Sequence, residues 1–285
     1  MKIIESIEEM REYSRQVKQI GKTIGLIDTE GGLHDGHMSL VKIAKENIDI
    51  VVLNILHTFD YFEYSTEEYA ARLKIYEQDF IEKEIELCKL NNVDVLFLPL
   101  MNDLFLDTSD IHLNMLPLNV QDFLHSLPLN MKFILAAKEL YSIILPDVTV
   151  LGQKDIYLVC IFKSLIKQLD LPIKVIIAPI IRDINGVPFN SRNRFLSQDD
   201  YKNLISVYET LHEISTWLAY PSIQRIKMYI DECITRNNGT VNCIDICCAE
   251  TLEELNSIDR KSVIVVNVRF GDVPELYDNI IIEPR

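Results

Sequence analysis

The sequence lacks the features that define several classes of protein. It contains no run of about 18 uncharged apolar residues, so we expect no transmembrane helix. Its six cysteines do not have the paired spacing of a zinc site, which favours buried free thiols in a reducing cytosol. We find no internal repeat and no low-complexity segment. These absences favour an ordinary globular protein.

Positive charge is also scarce. The chain has 28 Lys and Arg against 43 Asp and Glu, a formal charge of −15. Nucleic acids and anionic membrane surfaces would be repelled, so we expect neither as a partner, and a bound phosphate must be met by a local basic cluster. The first residues are partly acidic and have no long apolar core. They predict neither a signal peptide nor a transit peptide, and therefore a cytoplasmic protein.

What the sequence does contain is ample material for a core, since 48% of its 285 residues are hydrophobic and 25% are charged. This length suits two domains better than one. Near-continuous apolar runs of strand length recur, and most are followed by stretches of helical periodicity, which predicts a parallel sheet covered by helices. The predicted strands are 23–28, 48–56, 93–100, 147–152 and 173–179, and the predicted helices are 38–46, 67–90 and 155–169.

The alternation of strands and helices changes near Arg182. A polar turn and helices extend to about Thr235, and two strand-like runs follow at 241–249 and 261–271. Helices followed by strands predict a smaller α+β domain. We therefore place an α/β domain at residues 1–180 and a small α+β domain at residues 181–285.

One loop has the composition of a ligand site: "DTEGGLHDGH", residues 28–37. Gly31 and Gly32 let the backbone approach a ligand, while His34 and His37 are one helical turn apart and point the same way. A phosphate there would meet free amides and the positive end of a helix dipole. For a random pair of histidines, a structural role in capping and packing is the commoner one. The glycines, the preceding strand and the following helix favour phosphate binding.

Two further polar segments could contact a nucleotide. In "LGQKD", Lys154 could neutralise a phosphate and Asp155 could accept from ribose hydroxyls, although a solvated charge pair at a helix start is the commoner arrangement. In "NSRN", Ser191 and Arg192 could reach the β- and γ-phosphates, with the guanidinium as a fixed fork of donors. Each segment alone is a weak signal, because polar turns are common.

Taken together, these motifs resemble a known family. The loop is similar to the HxGH signature of the nucleotidylyltransferase and class I synthetase superfamily. "GLHDGH", "GQKD", "RDINGVPFNSRNRFLS" and "RFGDVPELYDN" occur in the order seen in pantothenate synthetases (pantoate–β-alanine ligases). The chain resembles that family over nearly its whole length. The resemblance implies a Rossmann-like N-terminal domain, a smaller C-terminal lid domain and a homodimer.

The resemblance also implies a two-step ligase that uses ATP and magnesium. A carboxylic acid and ATP give an acyl adenylate and pyrophosphate, and an amine then displaces AMP to form an amide. Charge on the phosphates would be stabilised by five residues: His34, His37, Lys154, Ser191 and Arg192. The nucleotide would also contact Gly31, Gly32, Gly36, Gly152 and Asp155. Asp79 takes the family's magnesium position within a charged helix.

Where the family contacts its acid substrate, this sequence departs from the pattern. Glu30 replaces a methionine, His57 an asparagine, and Asp60 and Leu158 two glutamines. A site built to hydrogen-bond a hydroxy acid discriminates by factors of about 10⁴ when such partners are missing, because buried polar groups are left unpaired. The retained ATP motifs and the changed pocket predict an AMP-forming amide ligase that activates an acid other than pantoate.

Three other functions remain open at this point. The protein could be a nucleotidylyltransferase that leaves AMP on a non-carboxylate acceptor, or an ATP-binding paralogue without catalysis. It could also be a true pantothenate synthetase with an unusual pocket.

Overall fold

The computed structural model describes residues 1–46, 48–56, 81–100, 103–104, 115–126 and 128–285. Contacts divide the chain into two compact units. The first contains Met1–Leu113, Leu124–Gly152 and Ile161–Pro179, and the second contains Asn114–Phe123, Gln153–Cys160 and Ile180–Arg285. The predicted boundary at residue 180 would place residues 153–160 in the first domain, and it stays a prediction.

The first unit is built on a parallel sheet of six strands in the order β1-β4-β3-β2-β5-β6. The strands are β1 Lys2–Ile4, β2 Ile24–Thr29, β3 Ile50–Ile55, β4 Val95–Phe97, β5 Val148–Gly152 and β6 Lys174–Ala178. Ile27, Leu53 and Leu96 are completely buried in the core of this unit. Strands buried on both faces have near-continuous apolar sequences, as the inner strands β2, β3, β4 and β5 do, whereas the edge strands β1 and β6 are partly exposed.

The helices bury one face each, and local sequence sets their ends. Helix α1 (Ile7–Gln19) begins after Ser6, whose side chain accepts a hydrogen bond from the Glu9 N–H at 3.4 Å. Helix α2 is Asp35–Lys45, and α3 comprises the described helical residues 81–90. The next helices are α4 Leu118–Ser126, α5 Pro128–Ile144 and α6 Ile156–Gln168.

The second unit contains a three-stranded antiparallel sheet in the order β7-β8-β9 and two helices. Its elements are α7 Gln198–Thr216, α8 Ile223–Arg236, β7 Thr240–Cys248, β8 Ser262–Phe270 and β9 Val273–Ile282. The buried stripes of α7 and α8 belong to the same apolar core as β8, with Ile214, Ile230 and Phe270 fully buried. This sheet and its helices confirm the predicted α+β region.

The predicted fold class is confirmed, and all five predicted strands of the first domain form. Strand β1 was not predicted, because three residues are too short for a clear period. Within the described ranges, no helix combines the length and the apolarity needed to cross a bilayer. All six cysteines are free thiols, but only Cys88 and Cys247 are buried.

Candidate functional site

The carboxyl ends of β2 and β5 lie side by side at the point where the strand order reverses. Strands β3 and β4 continue the sheet on one side and β6 on the other. Open α/β sheets bind ligands at this position. Gly152 ends β5, and no atom of the described residues lies within 4 Å of where its Cβ would be. The backbone at the end of β5 is therefore open to a ligand.

The loop after β2 turns sharply on two glycines. Gly31 and Gly32 have φ angles of 85° and 66°, which is the left-handed region that residues with a Cβ rarely adopt. The Thr29 hydroxyl donates to the Asn54 carbonyl oxygen at 2.9 Å and accepts from the Gly31 N–H at 3.4 Å. The loop thus stays against the strand ends and brings His34 to the start of α2.

The two histidines form one stacked pair. His34 is the N-cap of α2 with extended backbone, and the ring centroids of His34 and His37 are 4.0 Å apart at an interplanar angle of 26°. The His34 N–H donates to His37 Nδ1 at 3.3 Å. A neutral imidazole that accepts through Nδ1 carries its proton on Nε2, so His37 Nε2 is a donor. The pair can supply donors to an anion at the helix start.

A carboxylate accepts hydrogen bonds from two backbone amides of this loop. Glu84, on α3, accepts through Oε1 from the Gly32 N–H at 2.5 Å and from the Leu33 N–H at 3.2 Å. The sequence predicted that a phosphate would meet free amides here. The amides of Gly32 and Leu33 are not free, and no local pattern marked Glu84 as their partner. Gly36 lies in the first turn of α2, and its predicted contact with the nucleotide stays a prediction.

A second carboxyl group lies at the end of β2. Asp28 pairs in register with Asn54 of β3 and accepts from its Nδ2 at 2.6 Å. Burial raises the pKa of Asp28 to about 7, the Asn54 hydrogen bond opposes this rise, and the charge of Glu30 adds to it. Sequence reasoning overlooked Asp28, although its position just before the glycines was a signal. Sequence reasoning did predict Glu30 as a site residue, and its half-buried side chain is the nearby charge.

In the second unit, Lys154 lies in a 3₁₀ turn, Gln153–Asp155, directly after β5. Its ammonium group is 2.8 Å from Asp155 Oδ1, and its side chain is 17% exposed. Asn279 of β9 holds the turn: its Nδ2 donates to the Gln153 and Lys154 carbonyl oxygens at 2.9 and 3.0 Å. Its Oδ1 accepts from Gln153 Nε2 at 3.0 Å. The backbone that carries Lys154 is therefore fixed by one buried amide.

Next to Asn279 lies a buried ion pair. Arg182 donates to Asp278 through both terminal nitrogens, at 2.7 and 2.8 Å, and to the Asn279 carbonyl oxygen at 3.2 Å. Burial raises the pKa of Asp278, and the Arg182 hydrogen bonds and charge oppose that rise. A bidentate pair of this kind is strongly directional. The Arg182–Asp278 pair thus fixes the part of β9 from which Asn279 contacts the Gln153–Asp155 turn.

Ser191 and Arg192 begin another 3₁₀ turn, Ser191–Phe195. Asn190 caps this turn by accepting from the Arg192 N–H at 3.0 Å. Arg192 Nη1 donates to the Glu275 carbonyl oxygen at 3.5 Å. Burial raises the pKa of the Glu275 carboxyl, and the charge of Arg192 opposes this. The predicted phosphate contacts of this turn stay predictions.

Leu158, half-buried on α6, brings no polar group. Its neighbour Tyr157 is buried, and its hydroxyl donates to Asp245 of β7. Burial is the first cause of the raised pKa of Tyr157, and the Asp245 carboxylate is the second. The Tyr157 ring also stacks on Phe123 at 5.0 Å between centroids. Sequence reasoning missed this pair, because its two residues are far apart along the chain.

Three predicted site residues, His57, Asp60 and Asp79, lie outside the described residues. Across the described ranges, no group of three or more His, Cys, Asp or Glu could hold a metal ion. The described part of the chain therefore contains no metal cage built from protein ligands alone.

Comparison with known proteins gives consistent matches. The family model of pantoate–β-alanine ligase matches residues 2–281. The pantothenate synthetase of Acetivibrio thermocellus is 28% identical over 287 residues, covering 99% of this chain and 100% of the relative. That of Thermosipho africanus is 29% identical over 285 residues, with coverage of 99% and 100%.

Solved structures share the fold. A pantothenate synthetase structure from Thermus thermophilus matches with a TM-score of 0.82 at 21% identity, covering 100% of both chains. The pantoate–β-alanine ligase of Francisella tularensis, complexed with beta-gamma ATP and β-alanine, matches with a TM-score of 0.72 at 24% identity. This match covers 99% of this chain and 97% of the other.

Proposed function

Since this chain belongs to the pantoate–β-alanine ligase family, whose members are ATP-dependent, AMP-forming carbon–nitrogen ligases, we propose that it joins a carboxylic acid to an amine in two steps. A carboxylate oxygen attacks the α-phosphorus of ATP, and pyrophosphate leaves as the bond between the α- and β-phosphates breaks. The amine nitrogen then attacks the acyl carbon, its proton goes to solvent, and AMP leaves with the electrons of the broken C–O bond.

The stacked imidazoles at the start of α2 are the observation that carries this proposal. His34 and His37, with ring centroids 4.0 Å apart, follow a glycine turn at the ligand-binding edge of the sheet. Donors at a helix N-terminus favour an anion, because the helix dipole is positive there. We assign to both histidines the binding and polarisation of the triphosphate. The proposed binding of ATP at this loop thus depends on imidazole donors whose positions the structure describes.

The motif resemblance assigns the other proposed groups. Lys154 and Arg192 would neutralise charge at the reacting phosphorus, and Ser191 would add a hydroxyl donor. Asp155 would accept from the ribose hydroxyls, although it contacts Lys154 at 2.8 Å in the structure. Fixed donors directed at developing charge commonly make the largest single contribution to an enzymatic rate. These assignments come from the motif resemblance, residue by residue.

We also propose that magnesium accompanies ATP. Magnesium is usually bound through one or two carboxylates together with substrate phosphates, so it does not need a complete protein cage. Among the described residues, no group of three or more His, Cys, Asp or Glu could hold a metal ion by itself. Asp79 stays the proposed protein ligand. Bound magnesium would neutralise phosphate charge during the first step.

For the acid, the relatives and the pocket favour different candidates. The relatives are pantothenate synthetases, and the family model is that of pantoate–β-alanine ligase, which supports pantoate as the acid and β-alanine as the amine. The second candidate is a different acid. It is favoured by Glu30 and Asp28, which place two carboxyl groups at the end of β2, and by Leu158, which offers no hydrogen bond. A substrate with a cationic or donor group would match the two carboxyl groups best.

Magnesium-dependent exchange between ATP and pyrophosphate tests both candidates. We would assay pantoate beside a panel of hydroxy, amino and dicarboxylic acids. Exchange with pantoate alone would establish the first candidate, and exchange with one other acid would establish the second. If no acid supports exchange although ATP binds, the ligase proposal fails. A non-catalytic paralogue then remains, or a transferase, which would leave AMP on its acceptor. The cytoplasmic location and the lack of nucleic-acid or membrane partners stay predictions from composition.

A further inference from the structure

Glu84 makes an unusual contact with the glycine turn. It lies on α3, is 4% exposed, and accepts through one oxygen from the consecutive N–H groups of Gly32 and Leu33, at 2.5 and 3.2 Å. These amides come directly before His34. A residue 52 positions further along the chain thus contacts the loop where the histidines begin.

The geometry of the loop explains why an anion fits there. Residues in the left-handed region can turn successive N–H groups toward one point and form a concave nest for negative charge. Gly31 and Gly32 are in that region, with φ angles of 85° and 66°. Hydrogen bonds from amides to a carboxylate are about twice as strong as neutral ones. The anion position formed by these two amides is therefore occupied by the protein's own carboxylate.

Exchange of this carboxylate for a phosphate would be unfavourable. Glu84 is buried, and a buried carboxylate that loses two donors bears a desolvation penalty. One turn further along α3, burial and the Glu84 charge raise the pKa of the Cys88 thiol to about 12. That thiol is therefore neutral near pH 7. Glu84 is thus suited to remain in place when a nucleotide binds.

We propose that Glu84 is a positioning residue that acts as an internal anion: it fixes the glycine turn, so that the imidazoles of His34 and His37, and not the amides of Gly32 and Leu33, meet the triphosphate. The kinetic part of this inference rests on the proposed function. The structural part does not, because it concerns a contact that exists without substrate. The opposite role, a carboxylate that ATP must displace, predicts the reverse change in ATP affinity.

Hydrogen exchange followed by mass spectrometry tests the structural part without substrate. In Glu84→Ala, the peptide containing Gly32 and Leu33 should exchange at least about tenfold faster, which corresponds to about 1.4 kcal/mol of lost protection. Peptides of β3 and of the second half of α2 should not change. Glu84→Gln keeps an acceptor oxygen and should show a smaller increase, and it replaces the alanine variant if that variant does not fold. Glu86→Ala, an exposed position of the same helix, is the matched control.

ATP binding by calorimetry and pyrophosphate exchange by the same variants test the functional part. We expect the turnover number of Glu84→Ala to fall at least about tenfold, with its ATP dissociation constant equal to or above that of the wild type, and with partial recovery in Glu84→Gln. Tighter ATP binding by either variant would overturn the inference in favour of a displaced carboxylate. Unchanged loop exchange, or faster loop exchange with unchanged turnover, would also overturn it. If wild type turns over with no acid, the proposed function fails, and the loop exchange and ATP affinity still decide the role of Glu84.

Discussion

His37 and Lys154 are the residues on which the proposed chemistry depends most directly. Each would stabilise charge that develops on the phosphates, so replacing either by alanine should lower ATP–pyrophosphate exchange about a hundredfold or more. The fold should persist, since both side chains are only partly buried. His212→Ala, at an exposed position of α7, should keep the wild-type rate. Unchanged exchange in His37→Ala would remove the assigned role.

The carboxyl group of Asp28 makes stability depend on pH. Its pKa rises from the ordinary 3.8 to about 7, mainly because it is buried. Between about pH 4 and pH 7 the native protein holds this proton and the unfolded chain does not. The free energy of unfolding therefore falls as pH rises through this window. Asp28→Asn should remove the effect, and its stability relative to wild type should be higher at pH 8 than at pH 5, by of the order of 1 kcal/mol or more.

Denaturant unfolding of both proteins at pH 5 and pH 8 measures this difference. Asp49→Asn is a control of opposite sign, because hydrogen bonds from Thr23 lower the pKa of Asp49. The stability from that carboxylate is present throughout the range from pH 5 to pH 8, so the loss in Asp49→Asn should be the same at both values. An equal effect of Asp28→Asn at the two pH values would show that Asp28 is ionised at pH 5.

Asn279 of β9 connects that strand to the 3₁₀ turn Gln153–Asp155 by hydrogen bonds. Asn279→Ala would leave the Gln153 and Lys154 carbonyl oxygens without their donor. An unsatisfied group costs about 1–3 kcal/mol when it is fully buried, and these two carbonyl oxygens, which are only partly buried, should together cost an amount in that range. We expect a loss of stability in that range. We also expect ATP–pyrophosphate exchange to be at least about tenfold slower, because the backbone of Lys154 is no longer held in place.

Asn267→Ala on the neighbouring strand β8 separates these two effects. Asn267 is also buried, and its side chain donates to the Tyr277 hydroxyl at 2.7 Å and accepts from Asn242 Nδ2 at 3.2 Å, so neither of these hydrogen bonds involves residues 153–155. It should lose stability and keep its exchange rate. If the ATP–pyrophosphate exchange rate falls equally in both variants, Asn279 acts through general stability and not through Lys154.

ATP should stabilise the whole molecule if it binds the native state alone. At a free concentration about one hundred times its dissociation constant, a ligand raises the free energy of unfolding by about 2.7 kcal/mol. Denaturant unfolding with and without ATP and magnesium measures this gain. The double variant His34→Ala/His37→Ala should gain less at the same ATP concentration. An equal gain in the double variant would show that ATP binds elsewhere.

The assembly state is a second property of the whole molecule. The family resemblance predicts a homodimer, with a mass of twice the 33.0 kDa of one chain. Light scattering at several protein concentrations measures the mass directly. A mass of 33.0 kDa at every concentration would contradict the dimer.

The sequence by itself determined the fold class and the position of the candidate loop. Buried parallel strands require long apolar runs, and helices require a period of 3.6, so both are visible locally. The glycines and histidines of residues 31–37 are adjacent in the chain, and their local geometry follows from their order. Strand β1 was too short for this reasoning, and the helices α1, α4 and α5 were not predicted from the sequence.

The tertiary structure alone decided which distant side chains hold that loop and which hold the Gln153–Asp155 turn. Glu84 contacts Gly32 across 52 positions, Asn54 contacts Asp28 across 26, and Asn279 contacts Lys154 across 125. No local period specifies such pairs, because they depend on which strands and helices become neighbours when the sheet forms. Burial by those neighbours also sets the raised pKa of Asp28, which an isolated sequence motif cannot show.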